Sequence, residues 1–388
     1  MSRQLLVGTR KGTFVVERQG RAWRPRLAGH PGQGVSYVAA DPHSGVWWAA
    51  LGHGHWGAKL SRSDAGGATW RDATQVRYPS WARYLAPPEP TEEPAADAPR
   101  GASIKEATLL KLWVIAFGTP GRIYIGTVPG GLFESDDGGE TFRLNRPLWD
   151  HESRGGDVSE GPGTGVTHWF GTPAAESEFA PGIHSIVLHP TDPERIMVAV
   201  STAGVLESTD GGRSWRGRNE GMTNDYLPDP KAAWGHDPHY VERCTGQPDC
   251  LWQQNHCGVF FSQDGAATWT KVSDPARGVH FGFPVATDPE HGHTAWVVPG
   301  KADAQRMAID GALFVARTED GGESWRVLRE GLPQENAYDV VYRHALDHRH
   351  GVLAFGTTTG NLYLSEDRGE RWQTVANNLP PVYSVRWA

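Results

Sequence analysis

Cysteine is scarce in this chain: Cys244, Cys250 and Cys257 are the only three in 388 residues. So few cannot staple a chain of this length, and the core must come from packing. Cys244 and Cys250 flank the turn Thr245-Gly-Gln-Pro-Asp249, which places them across a hairpin from each other. A disulfide and a pair of free thiols both remain open there, and a reducing compartment favours the thiols. No apolar run reaches the 18 or so residues that a membrane-spanning helix needs. Charge of one sign is also missing: 37 Lys+Arg stand against 45 Asp+Glu, a net charge of −8, and the two signs are interspersed. That pattern offers no basic face for nucleic acid or an anionic membrane. The opening Met1-Ser-Arg-Gln-Leu-Leu-Val-Gly8 reads as a strand without the apolar core of a secretory leader, so the expected location is cytoplasmic.

Glycine, tryptophan and histidine are plentiful, and the first two fall in a repeat. One eight-residue pattern, Ser/Thr-x-Asp-x-Gly-x-Ser/Thr-aromatic, occurs six times. Ser135–Phe142, Ser208–Trp215 and Thr318–Trp325 are full copies. Three are worn: Ala266 replaces glycine in Ser262–Trp269, Arg371 replaces the hydroxyl in Ser365–Trp372, and Ala65 replaces aspartate in Ser63–Trp70. Recurrence in order marks a repeat architecture. Asp, Gly and the hydroxyls suit a tight turn closed by side-chain to backbone bonds. The aromatic that follows buries about 150–250 Å² between neighbouring units. The pattern accounts for five of the 17 tryptophans, so these residues are read as structural rather than catalytic.

Each copy follows short alternating runs between Gly, Pro and Asp turns, such as Arg122-Ile-Tyr-Ile-Gly126 and Gly131-Leu-Phe-Glu-Ser135. These are strand signals. A further strand precedes them, as in Ile183–Leu188 or Ala337–Val341, and the aromatic opens a fourth. Four antiparallel strands repeated radially make an all-β propeller. A seventh unit without its box starts at Leu5-Leu-Val-Gly8 and lacks a first strand, while Val382-Tyr-Ser-Val-Arg386 is a first strand with nothing after it. The expectation is therefore a single domain over 1–388 with seven four-stranded blades, closed by pairing of the C-terminal strand with the N-terminal blade, which removes two open edges.

The boxes resemble those of the bacterial neuraminidase repeat (BNR, or Asp-box) proteins, across nearly the whole chain. That family includes sialidases, xyloglucan hydrolases, sortilin-type receptors and a photosystem assembly factor. The resemblance implies a propeller and leaves function open, because fold does not dictate function. Family sialidases use an arginine triad with an Arg-Ile-Pro start, a Tyr–Glu nucleophile pair and an Asp acid. Here Gly121-Arg122-Ile123-Tyr124 has Tyr for Pro, and only Arg10, Arg386 and Arg243 are candidates for a triad. An exo-sialidase is thus the poorer fit.

Propeller topology places the boxes on one face, the bottom, and the links between blades on the other, the top. Long insertions near 74–108, 144–182 and 218–236 fall at top links, so the top funnel is the expected site. Within the first, Pro87–Pro99 is rich in Pro, Ala and acid and reads as a solvated loop. Histidines gather at the same end. His184, His239 and His280 stand at the starts of three consecutive inner strands, and His53, His55 and His256 lie in top turns, with His236 in an adjoining link. Imidazoles in that number are candidate ligands for Zn, Cu or Fe. They equally fit a polar funnel for a small molecule, glycan or peptide, with Trp56, Trp169 and Trp234 as stacking platforms, or simple hydrogen bonding to loop backbone and water. Arg10, Lys11, Tyr37 and Tyr383 are candidate substrate-binding residues. Glu335, Tyr338 and Asp339, read as the start of inner strand seven, are candidate catalytic residues, since most glycosidases need two carboxylates about 5–10 Å apart. Two functions follow: a hydrolase-like enzyme, metal-assisted or not, acting on a small polar or glycan-like substrate, and a non-catalytic protein- or peptide-binding assembly factor.

Overall fold

The computed structural model describes residues 4–53, 55–86, 103–154 and 181–388. Pro87–Pro99, Trp169 and most of the 144–182 insertion lie outside these residues, as does the side chain of His53. Seven four-stranded antiparallel sheets make a ring, as the repeat predicts. We number the blades in chain order. Blade 1 runs outward from Val382–Trp387 through Gln4–Thr9 and Gly12–Gln19 to Ala22–Gly29. Its innermost strand is thus the C-terminal one, paired antiparallel with the first strand of the chain from Leu5↔Trp387 to Thr9↔Val382. The inner strands of blades 2 to 7 are Gly34–Ala40, Lys111–Phe117, Ile183–Leu188, Pro238–Arg243, Gly282–Thr287 and Leu346–Arg349. A small hairpin, Arg83–Ala86 with Ser103–Glu106, stands between blades 2 and 3.

The boxes fold as turns between the third and fourth strands. In blade 4, Ser208 Oγ donates to Asp210 Oδ1 and accepts from the Gly212 amide, while Asp210 accepts from the amide and hydroxyl of Ser214 at 2.9 and 2.6 Å. Blades 3, 5, 6 and 7 repeat the serine/threonine-to-aspartate bond at 2.7–2.8 Å. The worn copy in blade 2 keeps only the serine half, Ser63 Oγ accepting from the Gly67 amide at 2.9 Å. The box tryptophans then reach across to the preceding blade. Trp70, Trp269 and Trp325 donate to the carbonyls of Ala28, Arg218 and Val272 at 2.8–2.9 Å, each at that blade's outer edge. Sequence alone therefore located both the turn and the seam between sheets. Cys244 and Cys250 do face each other, with the Cys244 amide bonded to the Cys250 carbonyl, but all three thiols are free and buried.

Two expectations need correction. Ala337–Val341 is not an inner strand: that segment belongs to the link, and the inner strand of blade 7 begins at Leu346. The apolar alternation in 337–341 comes instead from packing of Ala337 and Val341 into the blade 6–7 core. A top excursion from Gly300 to Phe314, between the second and third strands of blade 6, also joins the three expected insertions.

Two tests follow. Trp252 is fully buried, stacks on Phe261 at 4.4 Å, and donates to the Gly292 carbonyl of blade 6. Trp252→Ala should cost about 3–5 kcal/mol in urea unfolding. The box aspartates Asp137, Asp210, Asp264 and Asp320 are held below the usual carboxylate range, Asp210 at about 2, with the Ser214 hydroxyl its largest cause. A depressed folded pKa stabilises above the unfolded value, about 3.9, and that stability is lost as pH falls through the folded value. Melting temperature should therefore drop between about pH 4 and 2, and Asp210→Asn should lower it at neutral pH while flattening the acid limb.

Candidate functional site

The top of the ring is shaped by bulges. In five blades the inner strand skips one or two residues of register near its top: Ser36 in blade 2, Trp113 in blade 3, His184 in blade 4, His239 in blade 5 and Phe283–Pro284 in blade 6. Tyr383 does the same on the closing strand of blade 1. A bulge bends its strand and re-aims the extra residue. Here it sets one side chain per blade around a common mouth. Trp113 meets His184 edge-on at 5.5 Å, His239 stacks on Phe283 at 4.6 Å, and Tyr342, just ahead of blade 7, bridges Phe283 and Tyr383.

A cavity of about 650 Å³ opens among blades 1, 2, 3 and 7. Its wall includes Arg10, Ser36, Lys111, Trp113, Arg343 and Tyr383, and no carboxylate among the described residues. Lys111 Nζ and the Arg343 guanidinium each lie 4.7 Å from the centre of the Trp113 ring, an arrangement that holds both cations by the ring's negative face. The Lys111 side chain is open to funnel water yet walled by protein on most sides. That confinement, with the neighbouring charge of Arg343, pushes its ammonium down to about 8. Arg343 Nε donates to the His239 carbonyl at 2.9 Å, which fixes its guanidinium at the mouth.

Below the mouth the channel is plugged. His344 Nε2 donates across the ring to the His184 carbonyl at 2.7 Å. Arg386 donates to the hydroxyls of Tyr37 and Tyr240 at 3.1 and 2.8 Å and to the Leu346 carbonyl at 3.0 Å, joining blades 1, 2, 5 and 7. Burial holds His184 and His344 far below the usual imidazole range, so both are neutral hydrogen-bonding groups. Deeper still, burial and the nearby Asp347 push Glu242 up to about 8.

A second polar cluster lies on the far side of Arg343. Asp237, His239 and His256 bring one ligand atom each to within 4.8 Å of one another. Asp237 and His239 flank Pro238 at the head of the blade 5 inner strand, and His256 occupies the turn between the next two strands.

The structure brings together some of the expected residues and separates others. Arg10 and Tyr383 line the cavity, whereas Lys11 does not. Tyr37 is committed to Arg386 in the channel. Trp56 is 72% exposed and borders a separate cavity of about 370 Å³ with Gln33 and Lys59, beside the turn that holds His55. Trp234 packs against His151 at 5.7 Å. Of the histidines, His239 and His256 converge. His184 turns its Nδ1 to Ser185 instead, and His236 is bound to the loop carbonyl of Ala232. His280 precedes the blade 6 strand, where Phe283 takes the bulge position, and it lies outside the cluster. Asp339 accepts from Thr359 and Asn361 in the blade 7 top turn, Tyr338 is 63% exposed, and Glu335 is exposed on the same link; none of the three lines the cavity. Lys111, Trp113, Asp237, Arg343 and His344 were missed. Asp237 precedes the strand and His239 is its bulge residue, so regular alternation gave no signal that the two would meet.

No family model matches the chain. Among curated proteins it is similar to the oligoxyloglucan-reducing end-specific xyloglucanase of Emericella nidulans, 26% identical over 227 residues. That match takes in 50% of this chain and 26% of the enzyme, so the chain spans about a quarter of the curated relative's length. Among solved structures, a putative 6-phosphogluconolactonase from Bacteroides fragilis superposes with a TM-score of 0.57 at 10% identity, covering 100% of this chain and 98% of that one. An ancestral GH74 enzyme gives a TM-score of 0.53 at 17% identity, covering 95% of this chain and 40% of that one. At these identities the structural likenesses show the propeller fold, and the curated relative adds a weak similarity to a glycosidase.

Proposed function

We propose that this propeller is a glycan-directed, hydrolase-like protein that takes a small acidic sugar, or a ligand of the same carboxylated polar character, into its top cavity. One observation carries the reading: Arg10, Lys111 and Arg343 border a cavity whose described wall has no carboxylate, around the aromatic platform of Trp113. Guanidinium binds carboxylate through paired hydrogen bonds. The weak similarity to a xyloglucanase supports a sugar rather than a peptide. The same cavity argues against the two-carboxylate scheme expected of Glu335 and Asp339, because neither stands in its wall.

Calorimetric titration with uronic-acid-terminated oligosaccharides and with uncharged oligosaccharides of equal length tests this. The acidic set should bind, and Lys111→Met should weaken it roughly 10- to 100-fold, the worth of one charge-assisted hydrogen bond at about 1.5–3 kcal/mol. Equal affinity for both sets, or binding that ignores Lys111, would refute the reading. Assay of new reducing ends in the same mixtures separates an enzyme from a binding module. The pH dependence is fixed in sign. Lys111 is charged below about 8, so affinity should fall as pH rises through that value. Lys111→Arg should abolish that fall.

A further inference from the structure

The cluster of Asp237, His239 and His256 carries more than the funnel reading uses. Asp237 Oδ2 stands 3.4 Å from His239 Nε2 and 3.6 Å from His256 Nδ1. Both separations exceed an ordinary N–H···O bond of about 2.7–3.2 Å. They match the spacing of about 3.3 Å between two ligands of a tetrahedral ion whose bonds are about 2.0–2.1 Å long.

The proton positions point the same way. His239 Nδ1 is 2.5 Å from the Gly282 carbonyl oxygen, which can only accept. The ring proton therefore sits on Nδ1. In the neutral ring, Nε2 then presents a lone pair to the lone pairs of a carboxylate oxygen. His256 Nδ1 converges on the same oxygen. With its own ring proton on Nε2, His256 turns a second lone pair to that point, and the three atoms then form a ligand set for a cation.

The surroundings are those of a metal ligand set. The Gly282 carbonyl orients His239 from behind, as outer partners of ligating histidines do. The Thr202 amide donates to Asp237 Oδ1 at 2.9 Å, which occupies that oxygen and leaves Oδ2 for the shared point. The Asp237 carbonyl accepts from the His256 amide at 2.9 Å, so backbone ties the two loops that carry the ligands. His239 is buried against Phe281 and Phe283, while the side chains of Asp237 and His256 are 16% and 30% exposed. The solvent side is thus the open one.

We propose that Asp237, His239 and His256 form a divalent transition-metal site, best fitted by zinc, with a fourth position facing solvent. Two imidazoles and one carboxylate are a borderline nitrogen–oxygen set, which suits zinc over calcium or magnesium. Three protein ligands and an open position are the pattern of a site that holds water or substrate rather than a closed structural site. Arg343 and Arg306 place positive charge nearby, and Asp303 offsets part of it. The inference stands independently of the ligand in the funnel.

Untagged protein, stripped with chelator and dialysed free of it, would be titrated with zinc chloride by calorimetry and with cobalt(II) by visible absorption. One zinc per chain should bind, and cobalt should show the intense bands of tetrahedral coordination. His256→Gln replaces a half-buried ring in a turn between strands; it should weaken zinc at least tenfold, and Asp237→Asn should do the same. His280→Gln, outside the cluster, should bind as the parent does. Absence of saturable zinc binding by the parent would overturn the proposal. So would parent-like affinity in both His256→Gln and Asp237→Asn, or loss of binding in His280→Gln alone.

Discussion

The closing strand is the constraint on which the rest depends. Val382–Trp387 is the last strand of the chain and the innermost strand of the first blade, hydrogen-bonded to Gln4–Thr9. Without it the first blade would lose its innermost strand and present Gln4–Thr9 as an open edge. The same six residues reach the centre of the molecule. Tyr383 bulges into the cavity wall, and Arg386 crosses the channel to Tyr37 and Tyr240. Closure of the fold and assembly of the cavity wall therefore use the same strand.

From the closed ring the site follows by small departures from regularity. A perfectly regular inner strand would alternate its side chains between two faces of its sheet. One skipped residue near the top changes that alternation and supplies Ser36, Trp113, His184, His239, Phe283 and Tyr383 to one circle. The plug beneath fixes this circle, since His344, Arg343 and Arg386 each bond to the backbone or hydroxyl of a blade remote in sequence. Such bonds tie the inner strands of distant blades to one another beneath the mouth.

The repeat was fully legible because its signal is local. A serine, an aspartate and a glycine within five residues close a turn by themselves, and the aromatic at the eighth position needs only the adjacent blade. Blade count and ring closure came from counting such units. The histidines were legible in part. His239 and His256 are close in sequence, belong to one blade, and do converge. His280 does not, because its strand starts later than expected and Phe283 takes the bulge position. Residues 337–341 carried an apolar pattern that burial in a link explains as well as a strand does.

By itself, the sequence determined an all-β propeller of seven blades, the turns at its bottom and the seams between its sheets. These rest on short-range hydrogen bonding and on periodic burial, both written in consecutive residues. Only the tertiary structure decided that Lys111 and Arg343 share Trp113, that Asp237 completes a pair of histidines, and that Glu335 and Asp339 stand outside the cavity. Those placements depend on where each bulge falls and on contacts between blades more than 100 residues apart in the chain, such as Arg343 with His239. No local pattern encodes them, because the energy that sets them is shared across the ring.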